Sequence, residues 1–328
     1  MTEERFLVTG AFGCVGAWTV KRLVEAQTPV WAYDLPGDPH RLRLIMDAHS
    51  LARVQTIAGD ITDVEAFERA VVDNQITHIV HLAALQVPFV RADPIRGALV
   101  NVTGTTVVLE VAKRHLEQIK GLVYASSMGV YGPASSYPPG PLAHDATLLP
   151  PTLYGVYKQA NEWTARIYWQ DYGLPSIGLR PYVIYGPGRD QGMTSTPTKA
   201  MLAAAVGRSY EISYGGSALF QYADDAAATF IAAARASFQG AEVFNLGGST
   251  AAMAEIVAAI EAAAPEIAGR ITYLSTPLPH PPSVDSEPLE RALGPLHWTP
   301  LQDGVAATIE RFRQAAATGM IDVERVLG

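Results

Sequence analysis

Short apolar runs rich in β-branched residues alternate with longer stretches of helical periodicity along the first half of the chain. The apolar runs predict strands over residues 6–9, 30–33, 54–57, 78–82, 122–125 and 176–180. Helical patterns between them cover residues 15–26, 64–72, 95–114 and 154–172. Apolar strands that alternate with helices are typical of a parallel sheet covered on both faces. The pattern therefore predicts an α/β fold of the Rossmann type, with a doubly wound parallel sheet.

The regular alternation loosens after residue 181. Gly- and Pro-rich loops, YGPGRDQG and STPLPHPP, separate helical patterns near residues 199–207, 225–236, 255–263 and 305–317. We predict a dinucleotide-binding Rossmann domain over residues 1–180. Residues 181–328 are predicted to form a smaller lobe that mainly binds substrate, with some segments returning to the Rossmann sheet.

Composition and charge narrow the possible partners. The 328 residues include 24 Lys+Arg and 32 Asp+Glu, a formal net charge of −8, which disfavours nucleic acid and anionic membrane surfaces as partners. A single cysteine, Cys14, leaves no intrachain disulfide or thiolate cluster, and no metal site is predicted. No run reaches the roughly 18 uninterrupted apolar residues of a membrane span. The start, MTEERFLVTG, is acidic, unlike a signal peptide. We expect a cytoplasmic protein with a small-molecule substrate.

A glycine-rich turn follows the first predicted strand. Gly10, Gly13 and Gly16 are spaced so that the chain turns sharply into a helix and brings backbone N–H groups against a pyrophosphate. Asp34 ends the second strand, where a carboxylate accepts hydrogen bonds from ribose hydroxyls and repels a 2′-phosphate. No basic residue follows directly, so NAD is favoured over NADP as cofactor. The alternatives are a glycine turn without a ligand and a turn or cap role for Asp34.

Tyr154 and Lys158 are four residues apart and therefore share one face of a helix. A tyrosine with a pKa of ~10 is a poor base at neutral pH unless positive charge lies nearby, and Lys158 and an oxidised nicotinamide would supply that charge. Ser127 follows the fifth strand at the carboxyl edge of the sheet, where a hydroxyl is placed to bond the substrate oxygen. Tyr157 is one residue out of register with the helix face of Tyr154 and Lys158 and is expected to be structural.

Taken together, these residues resemble the extended short-chain dehydrogenases/reductases, also described as NAD-dependent epimerases/dehydratases. The resemblance covers nearly the whole chain and includes VTGAFGCVG, GDITD, HLAA, NVTGT, SSMGVYG, YGVYK and LRPYVIYGPG. It implies that Ser127, Tyr154 and Lys158 are catalytic, with Tyr154 and Lys158 also at the cofactor. His81 is interpreted as a satisfied strand histidine. The remaining residues expected at the cofactor are Gly10, Phe12, Gly13, Cys14, Val15, Gly16, Asp34, Asp60, Ile61, Leu82, Ala83, Ala84, Asn101, Ser126, Pro181, Val183 and Ile184.

Three departures from the family pattern narrow the expected activity. Val183 stands where members acting on nucleotide sugars present an Asn, and Ala218 stands near the place of an Arg that grips the diphosphate. Met128 and Gly129 replace the Asp-Glu pair of sugar dehydratases. The sequence therefore predicts an NAD(P)-dependent oxidoreductase acting on a secondary alcohol or ketone of a sugar, sugar acid or hydroxy acid. A nucleotide-sugar 4-epimerase and a non-catalytic dinucleotide sensor are the alternatives.

The expected substrate wall is drawn from the strand ends and the loops that follow them. Arg189 either binds a carboxylate or forms a surface salt bridge. Asp224 and Asp225 are interpreted as cap and dipole partners of a helix. The resemblance implies a homodimer formed through paired helices around residues 95–116 and 163–172. The candidate substrate residues are Gln86, Met128, Tyr182, Arg189, Thr194, Ser195 and Gln221.

Overall fold

The structure, a computed structural model, describes residues 3–328, so the first two residues of the predicted Rossmann domain lie outside the described part. A seven-stranded sheet forms its centre, in the order β10-β6-β5-β4-β1-β2-β3, with every neighbouring pair parallel. This order confirms the predicted Rossmann-type α/β class. The strands of this sheet are β1 (Phe6–Thr9), β2 (Val30–Asp34), β3 (Gln55–Ala58), β4 (His78–His81), β5 (Gly121–Ala125), β6 (Ser176–Arg180) and β10 (Ala241–Asn245).

Helices cover the sheet and extend into the second half of the chain. Those of the first half are α1 (Cys14–Glu25), α2 (His40–Ile45), α3 (Ala48–Leu51), α4 (Val64–Asp73), α5 (Val87–Ala92), α6 (Pro94–Ala98), α7 (Gly104–Arg114) and α8 (Leu153–Tyr172). Those of the second half are α9 (Thr196–Ala205), α10 (Ala223–Arg235), α11 (Met253–Ala263), α12 (Glu287–Leu293), α13 (Leu301–Ala317) and α14 (Val323–Leu327).

The helix predicted over residues 95–114 is interrupted. Between α6 and α7 the backbone widens into a π-helical turn at Leu99–Thr103. Asn101 lies in this turn, fully buried, and its side-chain amide bonds both the N–H and the C=O of Leu85, at 2.7 and 2.9 Å. Its own carbonyl accepts hydrogen bonds from Asn161 and Thr105. The wide turn therefore holds the loop that follows β4.

The same stretch has the length of a membrane span. Among the described residues, the helical stretch Pro94–Arg114 is 21 residues long and apolar enough to cross a membrane by length and composition. In its most apolar 18-residue segment, 50% is buried inside the structure. A buried helix of a protein core passes the same test.

Two smaller sheets lie beyond β6. The strands β7 (Val183–Tyr185), β9 (Ser217–Tyr222) and β11 (Ser249–Ala252) form one, and β8 (Tyr210–Ile212) pairs with β12 (Ile271–Tyr273) in the other. The chain then returns to the large sheet, because β10 pairs in parallel with β6. This strand follows helix α10 and has a mixed burial pattern, so the sequence pattern did not predict it.

Helix α10 also returns to the Rossmann unit and packs against α1. Asp224, in its first turn, pairs with Arg22 of α1 at 2.6 Å. The neighbouring Asp225 is buried and accepts hydrogen bonds from the N–H and hydroxyl of Thr299, at 2.6 and 2.9 Å. Both acids occupy the helix's first turn as predicted, but neither is the cap residue, which is Tyr222. Their main contacts join α10 to distant parts of the chain.

Candidate active site

A cleft of about 850 Å³ opens at the carboxyl ends of the parallel strands. In open α/β sheets this edge is the usual ligand site, because the loops that leave the strands converge there. The cleft extends from the glycine turn and Asp34 at one end to Tyr154 and Lys158 at the other. The predicted residues that line it are Gly10, Phe12, Gly13, Cys14, Val15, Gly16, Asp34, Asp60, Ile61, Leu82, Ala83, Ala84, Gln86, Ser126, Ser127, Met128, Tyr154, Lys158, Pro181, Tyr182, Ile184, Arg189 and Thr194.

The glycine turn has room for backbone only. Gly10 has φ +66°, and a Cβ on it would lie 2.7 Å from the backbone nitrogen of Ala83. A Cβ on Gly16 would lie 2.2 Å from the Gly10 carbonyl oxygen. The first turn of α1 therefore packs directly on the strand ends and leaves the cleft open above its N-terminus. Burial raises the pKa of the adjacent Cys14 thiol to about 11, so this residue packs as a neutral thiol.

The Asp34 carboxylate is held in place at the end of β2. It accepts hydrogen bonds from the N–H groups of Phe12 and Leu35, both at 2.8 Å. Burial raises its pKa, and these two bonds act in the opposite direction. Arg41 also lines the cleft but is paired with Asp190 at 2.6 Å and donates to the Phe12 carbonyl at 2.8 Å. The nearest basic residue is thus already engaged.

Tyr154 lies on the first turn of α8, which Thr152 caps by accepting the Gly155 N–H at 3.1 Å. Ser127, just after β5, faces it across Gly129: a Cβ on that glycine would lie 3.3 Å from Ser127 Oγ and 3.4 Å from the Tyr154 ring. Burial raises the pKa of Tyr154, while the Ser127 hydroxyl and the charge of Arg189 act to lower it. The two hydroxyls predicted to be catalytic therefore lie together in the cleft.

Lys158 lies one turn further along α8, with its ammonium 5.8 Å from the centre of the Tyr154 ring. The ammonium is buried and donates to the carbonyl of Ala125, at the end of β5, at 2.7 Å. Burial lowers the pKa of Lys158 to about 8, against the effect of the Glu162 carboxylate, which raises it. At neutral pH the charge is retained, because this pKa lies above 7.

A buried ion pair between Arg180 and Glu162 connects β6 to α8. Arg180, the last residue of β6, donates to both carboxylate oxygens of Glu162, at 2.8 and 2.7 Å. The same carboxylate accepts a hydrogen bond from Ser126. Ser126 was predicted to bind cofactor, and although it borders the cleft, its hydroxyl is engaged by Glu162. This pair ties β5, β6 and α8 together at the base of the site.

Four predicted site residues, Val183, Gln221, Ser195 and Asn101, do not reach the cleft lining. Val183 is fully buried in β7, where strand alternation turns it into the core. The Gln221 amide bonds the N–H of Tyr182 and the C=O of Leu246, so it joins two chain segments. The Ser195 hydroxyl donates to the Gly192 carbonyl at 2.8 Å. Asn101 is enclosed by its bonds to Leu85 and holds the loop without reaching the cleft.

Several cleft residues were not predicted from the sequence. Leu278, Pro279 and His280 approach the catalytic end from the Pro-rich loop before α12. Arg41 borders the other end. The only sequence signal for residues 278–280 is a break in periodicity, which marks a loop but does not show which surface it covers.

Two further predictions concern histidine and metal. His81 lies between the Thr9 hydroxyl at 2.8 Å and the Thr105 hydroxyl at 3.0 Å, and burial lowers its pKa to about 3. This places it as a neutral structural residue, as predicted. Among residues 3–328, no group of three or more His, Cys, Asp or Glu side chains is placed to hold a metal ion.

Comparison with known proteins finds a matching family model and a relative that is similar over nearly the full length of the chain. The family model described as the NAD dependent epimerase/dehydratase family matches residues 6–247. The UDP-glucose 4-epimerase of Mycolicibacterium smegmatis is 30% identical over 331 residues, covering 94% of this chain and 98% of that protein.

Solved structures share the architecture over almost the full length. The UDP-glucose 4-epimerase of Thermus thermophilus, in complex with NAD, has a TM-score of 0.76 at 25% identity, covering 95% of this chain and 99% of that one. An L-threonine dehydrogenase from Clostridium difficile has a TM-score of 0.80 at 20% identity, covering 98% and 100%. The second likeness shows the fold alone.

Proposed function

Because the chain belongs to the NAD dependent epimerase/dehydratase family, we propose that it is an NAD-dependent oxidoreductase. It transfers hydride between a nicotinamide cofactor and a secondary alcohol or ketone of a small polar substrate. The supporting observation is the placement of Ser127, Tyr154 and Lys158 in one cleft with the glycine turn and Asp34. The direct test is net reduction of NAD by a panel of sugars, sugar acids and hydroxy acids. We expect NADH to accumulate with at least one of them.

The cleft fits a dinucleotide. The backbone-only turn at Gly10 and Gly16 leaves space for a pyrophosphate at the start of α1. Asp34 presents a fixed carboxylate for ribose hydroxyls, while Asp60 and Ile61 border the same end. The net negative charge of the chain is compatible with an anionic cofactor, because backbone N–H groups rather than bulk charge hold the phosphates.

The proposed mechanism uses the residues at the opposite end. A bound oxidised nicotinamide supplies the hydride acceptor and a positive charge. Tyr154 takes the proton of the substrate hydroxyl, and Ser127 orients the substrate oxygen by a hydrogen bond. Lys158 places a buried positive charge beside Tyr154, which favours the phenolate. Its bond to Ala125 fixes the ammonium at the strand end.

Two residues that hold the substrate diphosphate in nucleotide-sugar enzymes are replaced in this chain. Their replacement favours a simple oxidoreduction over epimerisation. Val183 and Ala218, which stand in for an Asn and an Arg, are both buried in the three-stranded sheet and neither lines the cleft. An epimerase must retain a keto intermediate while it turns over, and a gripped diphosphate helps to hold it. The catalytic end of this cleft therefore suits a substrate that binds and leaves without such a handle.

A nucleotide-sugar 4-epimerase is the second candidate, because the near full-length relative from Mycolicibacterium smegmatis is named a UDP-glucose 4-epimerase. Saturable binding of a UDP- or dTDP-sugar, followed by its interconversion without net NADH, would support this candidate. The dinucleotide-sensor alternative is disfavoured, since membership places the chain among enzymes and all three catalytic candidates are present.

The proposed preference for NAD depends on Asp34. We expect Asp34→Asn to raise the ratio of NADP to NAD in kcat/KM by about tenfold or more. The neutral amide no longer repels a 2′-phosphate and loses charge-assisted bonds to ribose, each worth about 1.5–3 kcal/mol. Asp73→Asn, an equal charge change at the exposed end of α4, is the control. An unchanged ratio in Asp34→Asn would contradict the assignment.

We further propose a cytoplasmic homodimer. Large apolar side chains are exposed on the neighbouring helices α6 and α8, including Ile95 at 77% and Trp163 at 54%. Leu153, Val156 and Ile167 of α8 are also exposed. A cluster of this kind marks a protein interface.

The dimer proposal predicts the effect of charges on this surface. The double variant Ile95→Glu/Trp163→Glu is expected to sediment as a monomer, because each subunit would bring two buried carboxylates to the interface. Met320→Glu, at a residue 50% exposed near the C-terminal end, is the control and keeps the dimer mass. Analytical ultracentrifugation gives the masses. A wild-type monomer at working concentration would contradict the proposal.

A further inference from the structure

Arg189 follows β7 and lines the cleft, where its charge acts on both Tyr154 and Cys14 of the glycine turn. Within the described residues its guanidinium makes one hydrogen bond, from Nη2 to the Thr194 hydroxyl at 3.1 Å, and its buried Nε has no hydrogen-bond partner there. Among residues 3–328, no carboxylate lies within ion-pairing distance of it. The surface salt bridge considered from the sequence is therefore not formed.

The carboxylate next to Arg189 in sequence is committed elsewhere. Asp190 pairs with Arg41 at 2.6 Å and with His40 at 3.2 Å, and these partners lower its pKa to about 2 although burial raises it. Asp34 and Asp60, the other acids lining the cleft, accept hydrogen bonds from the N–H groups of Phe12, Leu35 and Thr62. A partly buried guanidinium without a counter-ion is costly, and an anionic ligand would offset that cost.

Other polar groups surround the same space. Tyr182 lines the cleft with Arg189, and its hydroxyl is buried with no hydrogen-bond partner in the described part of the chain. Gln86 approaches from the loop after β4: a Cβ on Gly192 would lie 2.1 Å from Gln86 Oε1 and 3.2 Å from Arg189 Nη2. Gly192 has φ +95°, so the turn itself favours glycine. Arg189 Nε and Tyr182 Oη are thus two polar atoms that have no hydrogen-bond partner among residues 3–328, and the Gln86 amide oxygen lies near the guanidinium.

We propose that Arg189 binds the carboxylate of the substrate, so that the substrate is a hydroxy acid or sugar acid. This inference rests on the proposed function. In the oxidation, Tyr154 would take the hydroxyl proton of the secondary alcohol, and a bound oxidised nicotinamide would accept its carbon-bound hydride. A ketone forms and the carboxylate is unchanged. The planar fork of a guanidinium matches the two oxygens of a carboxylate.

The position of Arg189 favours a carboxylate close to the reacting carbon. Arg189 and Tyr154 line the same cleft; burial raises the pKa of the Tyr154 hydroxyl, and the charge of Arg189 acts against that rise. The diphosphate of a nucleotide sugar is the other anion with suitable chemistry, and the experiment separates the two.

Calorimetric titration of the NADH-saturated protein measures the subsite without turnover. The probes are glycerate, threonate and gluconate, their neutral counterparts glycerol, threitol and sorbitol, and UDP-glucose. We expect at least one acid to bind more tightly than its polyol, and Arg189→Gln to weaken that acid by about tenfold or more, with little effect on the polyol. Arg91→Gln, at an exposed arginine of α5, is the charge-matched control and retains binding.

Two outcomes would overturn the proposal: no acid binds the wild-type protein more tightly than its polyol, or Arg189→Gln binds the acids as well as the wild type does. Binding of UDP-glucose that Arg189→Gln weakens, with no acid bound, would likewise overturn the proposal and assign Arg189 to a diphosphate. Failure of the proposed function has a different signature: the acids bind in an Arg189-dependent way, yet no alcohol reduces NAD. Conversely, turnover of neutral alcohols without Arg189-dependent binding rejects the subsite alone.

Discussion

Tyr154→Phe is expected to lower kcat by about 10²–10⁴-fold while the protein stays folded and still binds NAD. The substitution removes only the phenolic oxygen, so the substrate hydroxyl loses the group proposed to take its proton. The ring keeps its place on the first turn of α8 beside Gly129. Steady-state kinetics measures the loss, and fluorescence titration with NADH shows that the cofactor site remains intact.

Tyr157→Phe is the matched control. Tyr157 lies on the same helix as Tyr154, directly before Lys158, but it does not line the cleft. Its hydroxyl donates to the carbonyl of Pro94 at 3.1 Å, away from the cleft lining. We expect its kcat to stay within a few-fold of the wild-type value. A Tyr154→Phe protein with full turnover would eliminate the proposed base.

Arg180→Met is expected to reduce the free energy of unfolding by about 3–5 kcal/mol. The change leaves the Glu162 carboxylate buried without its two guanidinium bonds, 7% exposed at the base of α8. Urea unfolding followed by circular dichroism measures the effect. The double variant Arg180→Met/Glu162→Met is expected to be more stable than Arg180→Met alone, because the Glu162 carboxylate is no longer buried without its guanidinium partner.

The exposed pair between Arg235 and Glu4 supplies the comparison for this prediction. Its nitrogen–oxygen distance, 2.7 Å, equals that of Arg180 and Glu162, but its side chains are 38% and 39% exposed. Arg235→Met should therefore cost no more than about 1 kcal/mol. Equal losses for Arg180→Met and Arg235→Met would contradict the role assigned to burial.

The central fold was predictable because its signals are local. The bounds of β1 and β6 match the predicted residues, and both strands are buried along their whole length. The π-helical turn at Leu99–Thr103 was not predictable in this way, because the contacts of Asn101 with Leu85 and Asn161 come from distant segments. Strand β10 was missed for a similar reason: its pairing with β6 is a long-range contact.

The residues of the candidate site also differ in whether local sequence signals or long-range contacts determine their place. Tyr154, Lys158 and the glycine turn were identified because their spacing alone places them on one helix face or at one strand end. Gln221 does not line the cleft, and its contacts with Tyr182 and Leu246 could not be predicted because only the folded chain brings these residues to it. The approach of residues 278–280 to the cleft also depends on packing of the second half against the first.

The most direct test of the central claim asks whether NAD exchanges freely and is reduced to NADH, or stays bound while UDP-glucose is interconverted. The protein is purified, any retained nucleotide is released and identified, and the protein is then given NAD with the alcohol panel and, separately, with UDP-glucose. NADH formation and sugar interconversion are measured in the same samples. The account predicts freely exchanging NAD, net NADH formation with a small alcohol substrate, and no interconversion of UDP-glucose. Tightly retained NAD, no net NADH and conversion of UDP-glucose to UDP-galactose would contradict it.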